Sequence, residues 1–166
     1  YDHFDRAAVD DITSRHSVVI CDKTTAEAFD GEAVVMTPGM QAKVEGGFLI
    51  EAVAAYNTTE GHTDFHPKAR EDCGYVITLE SGTRIYIAGD TEPTPEMLSL
   101  KDIDVAFLPV NQPYTMTVDQ AIEAIKAIRP RIFYPYLYGE VDEVTDIERL
   151  KSELEGITDV RVFPME

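Results

Sequence analysis

Apolar and polar positions change their period several times along the chain, and each change marks an element. Between Ala7 and Arg15, Ala8, Val9 and Ile12 recur at helical spacing, so a short helix is predicted there. A buried strand follows in SVVICD and ends at Asp22. TTAEAFD reads as a turn of helix capped by Thr24 or Thr25, and AVVM as a short strand stopped by Pro38-Gly39. QAKVEGGFLIEAVAAYN alternates around Gly46-Gly47 as a hairpin does, with Phe48, Ile50, Ala52 and Ala54 on one face of its second arm. Residues 56 to 73 keep no period and contain Gly and Pro, which predicts a long loop of the kind that often carries function. GYVITL and TRIYIAGD then pair across the tight turn ESG, and the second strand stops at Gly89-Asp90.

Helix and strand alternate through the remainder. PTPEML begins a short helix with Pro near its start, DVAFLPVN is a buried strand, and TVDQAIEAIKAIRP is an amphipathic helix capped by Thr117. Ala121, Ile122, Ile125 and Ile128 form its inner stripe. RIFYPYLYG is another buried strand, VTDIERLKSELEG a helix ending at Gly156, and VRVFPM a last strand. With no repeat and no linker, the pattern predicts one α/β domain over residues 1–166.

Composition narrows the partners. Lys+Arg 14 against Asp+Glu 31 gives a formal charge of -17, which repels phosphate backbones and anionic membranes. Nucleic acid and membrane are therefore not expected as partners. No apolar run approaches the roughly 20 residues that cross a bilayer, and the N-terminus has no signal-peptide regions. Cys21 and Cys73 form no CxxC pair, which argues against a disulfide framework or a thiolate zinc site and favours a reducing cytoplasm. GxSxG, P-loop and GxGxxG patterns are absent.

Three features carry candidate chemistry: Asp2-His3 at the start, His62 and His66 in HTDFHP, and Asp90 in AGDT. Imidazole and carboxylate are the ligands that divalent transition metals such as zinc accept. Each has a plainer alternative: a solvated terminal histidine for His3, a solvated or hydrogen-bonding loop histidine for His62, and an Asx turn or helix cap for Asp90. Tyr134, Tyr136 and Tyr138 read as core and rim packing or as a pocket wall, and His16 as structural. Lys68 is either a solvated loop residue or an anion binder, and Tyr114 and Thr115 either reach a cavity or support the cap at Thr117.

The order of these segments adds more than any one of them. FHPK, then GYVITLESGTRIYIAGDTEPTPEM, then DIDVAFLPVNQPYTMTVDQAIEAIKAIRP and RIFYPYLYG resemble the C-terminal part of the metallo-β-lactamase fold superfamily, in its branch of metal-dependent hydrolases. The resemblance implies an αββα sandwich, incomplete at the N-terminus. The family's HxHxDH motif would end at Asp2 and His3, with its leading histidine pair upstream of Tyr1. Carried over, Asp2 and His3 become ligands of a second metal, His66 of the first, and Asp90 the bridging carboxylate, with Asp2 and Asp90 also serving catalysis. The implied cofactor is zinc, with manganese or iron as alternatives, and the implied reaction is hydrolysis of a small-molecule substrate by a metal-bound hydroxide.

One position departs from the family pattern. Leu137 stands where the corresponding PYHYG strand end has its histidine. That keeps a second reading open, a catalytically impaired or non-catalytic member acting as a binding or oligomerisation module. Half a sandwich would also leave a sheet face uncovered, to be met by another segment or by a second copy in a homo-oligomer.

Overall fold

Short helices capped by their own acids, and strands that alternate buried with half-buried positions, organise the computed structural model, which describes residues 4–139 and 145–163. Helix α1 (Arg6–Ile12) starts on Asp5, whose carboxylate accepts from the Ala8 amide at 3.0 Å. Strand β1 (Val19–Cys21) leads into α2 (Lys23–Ala28), and β2 (Ala33–Val35) pairs with β1 in parallel. The cap of α2 is Asp22 and not Thr24 or Thr25. Its two carboxylate oxygens accept from the Thr25 amide and hydroxyl at 2.9 and 3.0 Å, a stronger bond than a threonine hydroxyl at the cap would offer. His16 is exposed, its Nε2 3.0 Å from Arg15 Nε, so it holds no place in the core.

The remaining strands form a seven-stranded sheet in sequential order: β3 (Gln41–Val44), β4 (Phe48–Ala54), β5 (Cys73–Thr78), β6 (Arg84–Ile87), β7 (Val105–Pro109), β8 (Ile132–Tyr136) and β9 (Asp159–Val160). Pairing is antiparallel from β3 to β6 and parallel from β6 to β9. The C-terminal ends of β4, β6, β7 and β8 therefore open on one edge, where ligands of such sheets gather. The expected strand in VRVFPM is displaced: pairing stops at Val160, beyond which Arg161 N still donates to Phe133 O at 2.8 Å. This is the sheet's edge, and Pro164 and Met165 of the expected strand lie outside the described residues.

One face of the sheet is packed by helices. Val76, Tyr86, Ala106, Leu108 and Phe133 point into a core closed by α3 (Pro95–Leu98), α4 (Val118–Ile128) and α5 (Ile147–Glu153). The inner stripe of α4 is buried as expected, and Thr117 and Gln120 complete a reciprocal capping box. On the opposite face a second cluster of Met36, Ile50 and Ala52, with Ile20 and Tyr75 against it, joins the β1–β2 layer to β3–β5. Further along that face Ile87 remains 41% exposed, and Tyr134 stacks between Phe107 and the 64% exposed Phe163.

Candidate active site

Asp90 is placed by backbone conformation before its side chain matters. Gly89 turns the chain out of β6 at φ +69, and a Cβ there would lie 3.2 Å from the Cys73 carbonyl, so a side chain is doubly disfavoured. Gly74 meets the same corner from β5, where a Cβ would fall 2.4 Å from the Ala88 carbonyl oxygen. The Tyr136 hydroxyl donates to the Gly89 carbonyl at 2.6 Å and ties the end of β8 to this turn. Burial first, then the nearby Asp90 charge, push the Tyr136 phenol well above its ordinary pKa, so it stays a donor.

The loop from β4 brings His66 to that turn. His66 Nε2 lies 3.6 Å from Asp90 Oδ2, with both side chains largely buried. On the other side of the ring Arg70 Nη2 is 3.0 Å from Nδ1, while Arg70 Nε donates to Asp72 at 2.6 Å. A guanidinium has only donors, so for that contact to be a hydrogen bond Nδ1 accepts and the ring proton sits on Nε2, towards Asp90. A short 3₁₀ turn, Lys68–Arg70, places the arginine. Sequence and structure agree on the length of the loop, although this turn was not foreseen.

Behind Asp90 lies a polar network that sequence reasoning missed. Glu92 is fully buried. Its Oε2 accepts from the Thr58 amide at 2.7 Å, the Thr59 amide at 2.6 Å and the Thr58 hydroxyl at 3.1 Å, while Oε1 is 3.4 Å from His62 Nδ1. Burial alone would raise its pKa, but the hydrogen bonds from Thr59 and Thr58 outweigh it and hold the carboxyl below the usual range, so Glu92 is an anion. Thr91 bridges the same loop, accepting from Tyr56 N at 2.9 Å and donating within 3.0 Å of Tyr56 O. Asn57 Nδ2 donates to the carbonyls of His62 and Tyr114, which draws in the loop after β7. The available signal was a Glu between two threonines in TEPT, hidden by the surrounding acidity.

The other candidates divide. Thr115 is buried and exchanges hydrogen bonds with Asn111, a structural role, whereas Tyr114 is 42% exposed and packs edge-on against Phe65. His62 is half-buried and stands against Glu92 and the Phe65 ring, as a hydrogen-bonding loop histidine would. Lys68 lies over the Tyr56 ring and within 3.6 Å of Glu96. Leu137 follows β8 at φ +59, a left-handed conformation that costs a branched apolar residue about 1–2 kcal/mol. Asp2 and His3 lie outside the described residues. Among the described residues no group of three or more His, Cys, Asp or Glu is arranged to hold a metal.

Comparison with known proteins fixes the family. The model of the β-lactamase superfamily domain matches residues 1–136. The chain belongs to that superfamily. A UPF0173 metal-dependent hydrolase from Thermoplasma acidophilum is 34% identical over 125 residues, covering 73% of this chain and 53% of the relative. The crystal structure of a metal-dependent hydrolase from Parabacteroides distasonis superposes with a TM-score of 0.89 at 43% identity, over 99% of this chain and 72% of its own. A Thermotoga maritima protein described as a Zn-dependent hydrolase of the metallo-β-lactamase superfamily shares the fold, with a TM-score of 0.61 at 17% identity over 87% of this chain and 80% of its own. The fold is thus the α/β metallo-β-lactamase type. This superfamily member spans about half the length of the curated relatives it matches. No helix among the described residues is long and apolar enough to cross a membrane.

Proposed function

We propose that this chain provides part of the site of a metal-dependent hydrolase acting on a small molecule. The observation that carries the reading is the convergence of His66 and Asp90, a nitrogen and an oxygen donor 3.6 Å apart, at the strand ends where the sheet opens. That donor set suits a borderline divalent ion, zinc first and manganese or iron after it. Asp2 and His3 would add to it, and Asp90 would serve both ligation and catalysis. When bound, a divalent ion supplies Lewis acidity and a water acidic enough to ionise near neutral pH.

The chain's own groups do the rest. For His66 to offer the Nε2 lone pair to an ion, the neutral ring would carry its proton on Nδ1 instead, and the present contact from Arg70 Nη2 to Nδ1 would give way. Tyr136 holds the Gly89 carbonyl and so the direction of Asp90. Tyr114 and Phe65 form a half-exposed aromatic edge beside the loop, suited to the apolar part of a substrate.

Leu137 favours a second reading, a member that binds without turnover. Metal analysis of the purified chain, followed by assays with phosphodiester, lactone and lactam substrates, separates the two. Near-stoichiometric zinc, manganese or iron with turnover supports the hydrolase; less than a stoichiometric fraction of metal, with no turnover, supports the non-catalytic module.

A further inference from the structure

One buried acid joins the loop carrying His66 to the strand end carrying Asp90, beside the bonds that Thr91 makes to Tyr56. Glu92 takes two backbone amides and a hydroxyl from Thr58 and Thr59 and faces His62, while its own amide donates to Tyr56 O at 3.2 Å. Thr59 is held in turn by Gln120 of the α4 capping box at 3.1 Å. From Thr59 the chain runs to His66, whose carbonyl accepts from Asn57 N at 2.9 Å and closes the loop on itself. A carboxylate with no solvent exposure is tolerated because it is multiply bonded, and those bonds have one geometric result. They fix where the loop starts relative to Asp90, two residues away along the same strand end.

We propose that Glu92 is a positioning residue for the His66–Asp90 pair, acting by clamping residues 58–62 to the end of β6. The inference rests on the metal-site reading above. Substituting groups that orient ligands typically weakens metal affinity about 10- to 100-fold. Glu92→Gln keeps the size and one carbonyl acceptor but replaces the charge-assisted bonds to Thr58 and Thr59 with weaker neutral ones and sets its NH₂ on the His62 side, so zinc affinity, measured on the full chain by competition with a chromogenic chelator, is expected to fall about tenfold in a chain that still folds. Glu92→Ala is expected to lose about 100-fold. The control is Glu51→Gln, which breaks the Arg84–Glu51 ion pair at 2.9 Å on β4 and leaves zinc affinity as it was.

Wild-type zinc affinity in a folded Glu92→Gln variant overturns the proposal, as does an equal loss in Glu51→Gln. Where Glu92→Ala fails to fold, Glu92→Gln decides alone. Where the wild-type chain itself binds no zinc, the metal-site reading fails and the clamp is judged by hydrogen exchange. Thr58 and Thr59 amides that exchange at least about tenfold faster in Glu92→Gln sustain it, and unchanged protection overturns it.

Discussion

Two strand ends that open on the same edge of the sheet are built in opposite ways. The end of β6 is polar and over-determined: Asp90 faces His66, Thr91 and Glu92 grip the β4 loop, and two glycines leave room for the turn. The end of β8 is apolar where it leaves the sheet, with Leu137 in a left-handed conformation. Asn, Asp and His populate that conformation several times more readily than other side chains, so the backbone at 137 has a shape that suits an imidazole better than a leucine. The lesson is that chain geometry at a site and the chemistry placed on it are separable. Backbone shape is fixed by pairing such as Pro109 with Tyr136, and a single side chain can change without undoing it.

The largest expected effect breaks the polar end. Asp90→Asn removes the charged oxygen while keeping shape, and zinc affinity is expected to fall more than about 100-fold, beyond the usual cost of losing an outer partner. Chelator competition measures it; zinc binding at the wild-type level would show that the polar end is not the metal end. The next prediction repairs the other side. Leu137→His is expected to add a second equivalent of zinc, visible by elemental analysis after dialysis, without loss of thermal stability. Zinc content equal to that of the wild type would mean that the β8 end does not face the same site.

A smaller effect tests the link between the two ends. Tyr136→Phe deletes the hydroxyl that donates to Gly89 O and leaves a carbonyl without that partner, which should cost about 1–3 kcal/mol in urea denaturation. If stability is unchanged, the ends of β6 and β8 are not coupled through this bond.

Much of the fold was legible because its signals are local and periodic. The α4 stripe, the Gly46-Gly47 hairpin and the run ending at Gly89-Asp90 each carry their periodicity within a short window. His66 and Asp90 were legible through the order of motifs, and the structure brings them together. Glu92 was not, because a buried acid looks like any other in a chain with 31 acidic residues, and its donors, Thr58 and Thr59, are backbone amides more than thirty positions away. The cap of α2 was misread for a related reason: Asp22 was assigned to the end of a strand, although one residue can end a strand and begin a helix. The 3₁₀ turn at Lys68–Arg70 is too short to show a period.

The mildest prediction concerns Cys73, which opens β5 beside the Gly89 turn. Burial first, and then the charges of Asp22, Asp72 and Glu71, push its thiol up to about 12. A free cysteine near 8.5 is substantially ionised at pH 8, whereas a thiol at about 12 holds roughly a thousandfold less thiolate. Iodoacetamide should therefore modify Cys73 slowly at pH 8, with the rate rising as pH increases towards the shifted value. Cys21, also raised by burial and by Asp22, is expected to be slow as well. Peptide mapping after timed alkylation distinguishes the two sites. If Cys73 reacts at the rate of an unhindered thiol while Cys21 does not, the corner that supports Asp90 is open to solvent, and the contrast between a packed polar end at β6 and an apolar one at β8 loses its basis.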